Sequence, residues 1–364
     1  MAILKEQLSN ITIIVPAYEP DEKLLSAISE LEKYGFCDIL VVNDGSSPAC
    51  EEVFKKACEF NSVTLLTHEQ NMGKGVALKT AFKHIIENKK DCLGTLTVDS
   101  DGQHLPKDVL ALAEDMLNGT PHVVLGYRDF SLPFVPERSR KGNNITRNVF
   151  KKIFKMDIYD TQTGLRAIPA EYFNDMLETE GCRYEYENNM LITLKDNGIP
   201  FTQVPIETVY IEENKSSHFR PVKDSVRIYY HLFEKVIKYT ANSILCVLIE
   251  NIIQTLLHDA LNFTGVLLEV VDFLPARFVS SVINYLINKK YVFKSKKATK
   301  TSLLRYYVLW VVQAIATLFL TVFIETALGK TEGFIYFLII TIVKTLIFFV
   351  SYFLQKKWVF SNKN

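Results

Sequence analysis

Net charge is what this 364-residue chain lacks: 41 lysines and arginines balance 41 aspartates and glutamates. There is therefore no global basic field of the kind that draws a protein onto nucleic acid, and no nucleic-acid partner is expected. Paired cysteines are lacking too. Cys37, Cys50, Cys58, Cys92, Cys182 and Cys246 are scattered with no C-x-x-C among them. That argues against a disulfide framework or a zinc site and makes reduced thiols the default expectation. The N-terminus carries Lys5 and Glu6 and no long apolar run, so no signal peptide is evident and the first domain is expected in the cytoplasm.

What is present divides into two halves. Residues 1–238 are mixed and charged, whereas 239–360 are mostly apolar and aromatic. The mean hydropathy of +0.09 averages the two. In the first half, short β-branched runs at 11–15, 39–42, 63–66, 93–98 and 123–126 read as strands. Helix patterns at 20–33, 49–60, 74–87 and 106–117 lie between them. Alternation of this kind predicts an α/β fold, a mainly parallel sheet with helices on both faces. Ligands of such sheets bind beyond the carboxyl ends of the strands. Those ends carry Pro16–Glu19, Asn43–Ser46 and Asp99–Gln103.

The second half holds apolar stretches at about 241–258, 266–288, 304–327 and 334–354, near the ~20 residues a spanning helix needs. The bland alternative is a hydrophobic helical core. Lysines 289, 290, 294, 296, 297 and 300 follow the second stretch, and Lys356, Lys357 and Lys363 the fourth. The positive-inside tendency makes these sides cytoplasmic, so four spans return both termini to the cytoplasm. The expected organisation is a catalytic domain over 1–218, a juxtamembrane amphipathic helix over 219–240 and a four-helix membrane domain over 241–364. An integral cell or endoplasmic reticulum membrane protein follows.

The most informative segment is Thr95–His104, where an apolar run leads into Asp99, Asp101 and Gln103. Strand alternation would aim all three to one side. Two carboxylates and an amide oxygen suit a hard cation, Mg2+ or Mn2+. A nucleotide diphosphate would complete its shell. A solvated D-x-D-G turn is the plain alternative for these residues alone.

Their companions give the segment weight. Val15-Pro-Ala-Tyr-Glu19, Val42-Asn-Asp-Gly-Ser-Ser47, Asn71-Met-Gly-Lys-Gly-Val-Ala-Leu78 and Asp99-x-Asp101-x-Gln103 occur in an order that resembles the nucleotide-sugar (GT-A type) domain of family-2 glycosyltransferases, over about 10–238. The resemblance implies that Pro16, Tyr18, Glu19 and Asp44 hold the base and ribose of the donor. Lys74 between Gly73 and Gly75 would meet a phosphate, the glycines allowing close approach. For Asp44 an Asx-turn is the structural alternative.

Downstream, Gly126-Tyr-Arg-Asp129, Pro136–Asn143 and Asp160-Thr-Gln-Thr-Gly-Leu-Arg166 look like the branch that charges polyprenyl phosphate, as dolichyl-phosphate mannose synthases do. Gln162 would then join the donor site. A phosphate acceptor is already anionic, so it needs cations to orient it rather than a strong base. Arg128, Arg138, Arg140 and Lys141 supply these, with Ser139 beside them; which of Arg138, Ser139 and Arg140 holds the phosphate stays open. The stretch 144–154, with Ile145, Val149, Ile153 and Phe154 on one side, suits a membrane surface. Tyr210–Phe219 also matches the branch, and Lys215 and His218 would contact the diphosphate once a loop closes. In the apolar half, Ala276–Asn284, Asn288–Phe293 and Ser351–Phe360 look like GtrA-like domains, associated with polyprenyl-linked sugars.

The expected activity is inverting transfer of one sugar to polyprenyl phosphate, with Asp101, Arg128, Arg138 and Arg140 at the reacting groups. Membrane translocation of the lipid-linked sugar is one rival. A processive polysaccharide synthase is another, but the family's Q-x-x-R-W segment is missing: the two tryptophans, Trp310 and Trp358, lie in the apolar half and neither follows an arginine.

Overall fold

The computed structural model describes residues 7–133, 135–207, 221–260, 266–295, 297–328 and 334–361. They form two compact units, divided between Tyr229 and Tyr230.

The first unit is built on seven strands: β1 (Ile11–Ala17), β2 (Ile39–Asn43), β3 (Val63–Thr67), β4 (Gly94–Thr97), β5 (Val123–Arg128), β6 (Arg166–Pro169) and β7 (Phe201–Ile206). Their order across the sheet is β3-β2-β1-β4-β6-β5-β7. The β1–β2, β2–β3, β1–β4 and β5–β7 pairings are parallel. Strand β6 runs antiparallel to both neighbours. The first five strands fall where the β-branched runs predict. Strands β6 and β7 carry no such signal, since Arg166–Pro169 is short and holds a buried arginine.

Helices α1 (Lys23–Lys33), α2 (Glu51–Ala57), α3 (Lys74–Asn88) and α4 (Pro106–Leu117) connect the strands. Ile11, Ile13, Val15, Ile39, Val41 and Leu96 of the sheet bury against Leu24, Ile28, Leu31, Val109 and Leu112 of α1 and α4. That burial, rather than helix propensity, holds the layers together. Helices α5 (Glu137–Val149), α6 (Phe173–Glu178) and α7 (Glu185–Asn197) follow. Helix α5 continues into a π-helical turn, Phe150–Phe154. It buries Asn143, Thr146 and Phe150 and leaves Ile145 and Ile153 exposed.

The second unit comprises α8 (Pro221–Ala260), which begins nine residues before it, α9 (Val266–Ile287), α10 (Thr299–Leu328) and α11 (Phe334–Leu354). The juxtamembrane and first-span segments expected from sequence are one unbroken helix, α8. Four helices occupy the four apolar stretches. Among the described residues one segment, Phe233–Leu257, is long and apolar enough to cross a membrane by itself.

Candidate active site

Beyond the carboxyl end of β4, Val98 still pairs with β1 through its N–H to the Ile14 carbonyl at 2.9 Å. The strand has stopped at Thr97, however, so alternation does not aim residues 99–103. A turn does so instead. Asp101 Oδ1 accepts the Gln103 backbone N–H at 3.1 Å, and Gly102 takes φ +73°, a value that favours glycine. The D-x-D-G turn weighed as the plain alternative is thus the local geometry. It carries an electrostatic load that an ordinary turn does not.

Asp99 Oδ1 accepts from Lys74 Nζ at 2.6 Å, and Asp99 Oδ2 lies 3.3 Å from His104 Nε2. The same ammonium lies 2.8 Å from Glu187 Oε1, so Lys74 bridges two carboxylates from separate elements. Burial alone would raise the Asp99 carboxyl, but the Lys74 ammonium and then His104 hold it well below the usual range. Asp101 moves the other way: burial and the neighbouring Asp99 charge push it up. Burial would lower Lys74, yet Asp99 and Glu187 keep it firmly protonated. Two crowded carboxylates shifted in opposite directions mark a candidate functional site.

Close approach at this site depends on Gly164. A Cβ there would stand 2.5 Å from Asp99 Oδ2. The Gly164 carbonyl accepts from Thr97 Oγ1 at 2.5 Å, which pins the 160–166 segment to β4. Behind it Arg166 is fully buried, donating through Nη1 to the Glu187 carbonyl at 2.6 Å and through Nε to the Thr163 carbonyl at 3.2 Å. Burial lowers its pKa, while Glu187, Asp160 and Asp99 raise it. Arg166 therefore lies in the field of both acidic groups of the site. Sequence reading included Arg166 only as the last residue of a motif, with no role of its own, and passed over Glu187. The E-x-E at Glu185–Glu187 is the one visible signal, and only folding brings it to Lys74.

The donor candidates gather at the ends of β1 and β2. Glu19, at φ +51°, accepts from the Ser47 N–H at 2.7 Å and Ser47 Oγ at 2.9 Å, and its own N–H donates to Ser46 Oγ at 2.9 Å. It ties the β1 loop to the β2 loop. Pro16 is the penultimate residue of β1, and Tyr18 is exposed. Asp44 differs from its expected role. It is 3% exposed, and its oxygens accept from the N–H groups of Met72 at 2.9 Å and Gly73 at 2.7 Å, with His68 Nδ1 at 2.8 Å. In this state Asp44 organises the 71–74 turn from inside instead of presenting a free carboxylate.

The glycines beside Lys74 also serve packing rather than an open phosphate cradle. A Cβ on Gly73 (φ +102°) would meet Arg183 Cγ and the Cys182 carbonyl at 2.5 Å, and one on Gly75 would meet Tyr186 Cβ at 2.6 Å. The space expected for a phosphate holds segment 182–186.

Of the acceptor candidates, Arg128 donates through Nε to Asp160 Oδ2 at 2.7 Å and lies 5.2 Å from the Phe130 ring. Arg140 donates to the carbonyls of Phe130 at 2.9 Å and Leu132 at 3.0 Å, so it shapes the loop after β5. Arg138 and Ser139 stand in the first turn of α5, and Lys141 pairs with Glu137 at 2.7 Å. Gln162 is exposed, its N–H held by Asp160 Oδ1 at 3.0 Å. Lys215 and His218 lie outside the described residues. All six cysteines are free.

Residues 12–174 match the family Glycosyl transferase family 2. An uncharacterized protein of Methanocaldococcus jannaschii is 30% identical over 59% of this chain and 91% of its own length. The UDP-N-acetylglucosamine–dolichyl-phosphate N-acetylglucosaminyltransferase of Methanococcus voltae is 27% identical over 56% of this chain and 86% of its own length. Among solved structures, glucosyl-3-phosphoglycerate synthase from Mycobacterium tuberculosis with Mn2+, UDP-glucose and glycerol 3-phosphate aligns at a TM-score of 0.49 and 16% identity. That alignment covers 64% of this chain and 83% of the synthase. By the family match and the extent of its relatives, the chain belongs to glycosyl transferase family 2.

Proposed function

We propose that the chain transfers one sugar, with inversion, from a nucleotide-sugar donor to polyprenyl phosphate at the cytoplasmic face of a membrane. UDP-glucose, UDP-N-acetylglucosamine and GDP-mannose are the donors in view. The observation that carries the reading is the Lys74–Asp99–Glu187 group beyond β4, in a chain similar to a dolichyl-phosphate sugar transferase over most of that relative's length.

The donor set fits Mg2+ or Mn2+. Asp99 and Asp101 flank Ser100, carry opposed shifts, and stand in the turn that Asp101 closes onto the Gln103 N–H. With Gln103 they would hold the ion. Among the described residues no three His, Cys, Asp or Glu side chains form a metal cluster, so diphosphate oxygens would complete the shell. When bound, the ion neutralises charge on the leaving diphosphate.

The chain's own residues do the rest. Lys74 exchanges Asp99 for a donor phosphate while Glu187 keeps its ammonium in place. Glu19, Pro16 and Tyr18 line the entrance for base and ribose, with Asp44 fixing the turn beneath. Arg128 and the 138–141 group orient the lipid phosphate. One phosphate oxygen attacks the anomeric carbon opposite the leaving diphosphate, forming one C–O bond as the other breaks. No proton must be removed from an acceptor that is already ionised. Lys215 and His218 are proposed to reach the diphosphate on closure.

Membrane attachment is part of the proposal, as four spans with both termini cytoplasmic. Its support is the second unit's surface. Only 17% of the most apolar window of Phe233–Leu257 is buried, whereas the core helix of a soluble protein is mostly buried. Ile244, Leu256, Phe278, Leu304, Phe319 and Leu346 are all exposed, an apolar surface that water disfavours.

The test is an assay in membranes with each of the three radiolabelled donors and polyprenyl phosphate. A lipid-soluble, mild-acid-labile product is expected with one donor; no product with any of them would sink the reading.

A further inference from the structure

The second unit contains a repeat. Asn284-Tyr-Leu-Ile-Asn-Lys-Lys-Tyr-Val-Phe293 and Ser351-Tyr-Phe-Leu-Gln-Lys-Lys-Trp-Val-Phe360 stand 67 residues apart, as do Lys238-Tyr239 and Arg305-Tyr306. Each ten-residue segment leaves its helix through a π-helical turn, Asn288–Val292 or Gln355–Val359.

The contacts repeat as well. Tyr239 meets Tyr352 edge-on at 5.4 Å and 64°, and Tyr306 meets Tyr285 at 5.4 Å and 62°. Phe293 lies 5.9 Å from Tyr352, and Phe360 lies 5.7 Å from Tyr285. The Tyr239 hydroxyl is 2.9 Å from Ser351 Oγ, and the Tyr306 hydroxyl donates to Asn284 Oδ1 at 3.0 Å. Equivalent residues meet one another in the middle: Asn288 Nδ2 donates to Gln355 Oε1 at 3.1 Å, and Phe293 stacks on Phe360 at 5.2 Å. Exchange of every residue with its mate 67 positions away reproduces these contacts. That is the signature of two helix pairs, α8–α9 and α10–α11, about a pseudo-two-fold axis.

Residues that obey the symmetry hold the fold. Charges that break it need another reason. Glu250 on α8 has Thr317 as its mate, whereas Arg277 on α9 has Lys344 on α11. The cation is repeated and the acid is not. Arg277 Nη1 donates to Glu250 Oε1 at 3.0 Å and Oε2 at 3.2 Å, and its guanidinium lies 5.9 Å from the Trp310 ring. Among the described residues, Nε and Nη2 make no hydrogen bond. The Glu250 side chain is 12% exposed, but that of Arg277 is 45% exposed beside exposed Phe278 and Val279. Arg277 and Lys344 each precede a lysine pair by 12 residues, or ~18 Å of helix. On the four-span reading, both therefore lie near the middle of a ~30 Å hydrocarbon layer. A cation there usually faces the bundle interior and is fully paired. Arg277 departs from that pattern on both counts.

We infer that Arg277 is the cation of an anion-binding site that takes a lipid phosphate headgroup, with Glu250 as its resting counter-ion. This rests on the membrane-spanning reading above. Planar guanidinium donors suit a phosphate in two-point contact, and a phosphate arriving at Arg277 displaces Glu250. The repeated cation and the absent second acid leave one uncompensated positive charge among these three positions, and an anion restores the balance.

The chain's two tryptophans allow a local test. In full-length Trp358→Phe protein in detergent, Trp310 beside Arg277 is the sole reporter. Its emission is titrated with farnesyl phosphate, farnesol and inorganic phosphate. Saturable change is expected with farnesyl phosphate and not with farnesol. Arg277→Gln should weaken it about tenfold or more, while Glu250→Gln should tighten it. A purely structural ion pair predicts that both substitutions act in the same direction, and that result, or no saturable change in the parent protein, overturns the site. Equal response to inorganic phosphate overturns the lipid as its source. Carbonate extraction of the same protein from membranes tests the spanning reading separately. Protein that stays in the membrane yet fails the titration leaves that reading standing and removes only this site.

Discussion

The two units solve opposite solvent problems. In the first, Ile11, Ile13, Val41 and Leu112 are buried, and the polar side chains gather beyond the sheet. In the second, Asn242, Asn288, Ser302 and Gln355 are buried, while Ile244, Phe278, Leu304 and Phe319 face outward. Asn288 alone joins Asn242 at 2.8 Å, Asn284 at 2.9 Å and Gln355 at 3.1 Å. A core of amides and hydroxyls under an apolar skin makes sense where the surroundings are themselves apolar, because small and polar residues then bind helix to helix. Apolar burial therefore specifies the first unit, whereas in the second a buried hydrogen-bond network joins the aromatic packing.

The largest effect expected is on catalysis in the first unit. Asp101→Ala should lower transfer at least ~1000-fold, in line with losing a group that stabilises leaving-group charge. Carbonate-resistant membrane association should be unchanged. Substantial turnover in that variant would remove the proposed metal role. Lys74→Met should reduce transfer and also cost about 3 kcal/mol of stability in the first unit, because Asp99 and Glu187 lose their shared cation. The pH profile carries a sign. The depressed Asp99 carboxyl contributes stability that is present above its ordinary value and lost as pH falls towards its folded value. Lys74→Met should therefore flatten the acid limb of thermal stability; an unchanged limb would contradict the pairing.

In the second unit, Asn288→Leu should cost about 1–2 kcal/mol by stranding Asn242 and Gln355. Adding Gln355→Leu should cost less than a second independent loss, because both polar partners are then gone. Strict additivity in helix-unfolding measurements would break the contrast between the units. The smallest effect on stability is that of Asp101→Asn. Because burial and Asp99 raise the Asp101 pKa, its ionised form opposes folding once pH rises through that value. The amide should slightly raise the thermal midpoint of donor-free protein at neutral pH while abolishing transfer. A fall in midpoint would show that Asp101 is held by an unrecognised cation.

Much of the first unit was legible because its signals are local. The strands β1 to β5 are β-branched runs bounded by turns, and Asp99 and Asp101 announce themselves by spacing. Strand β6 was not legible, since Arg166–Pro169 makes a strand only by pairing with residues about 70 and 40 positions away. Glu187 was missed for the same reason, as its meeting with Lys74 spans more than a hundred residues. The glycines at 73 and 75 misled in a different way. Their spacing is equally suited to a phosphate and to a close-packed backbone, and only the position of Cys182 and Tyr186 separates the two.

The sequence by itself determined the order of the first five strands and the helices between them, the contrast of the two halves and the residues proposed to hold a cation. Those follow from hydrophobic period and residue chemistry, which neighbours in the chain express. The tertiary structure decided which charges meet. It put Lys74 between Asp99 and Glu187, turned Asp44 inward, and set Asn288 against its mate Gln355. Each of these depends on distances across the fold that no local pattern encodes.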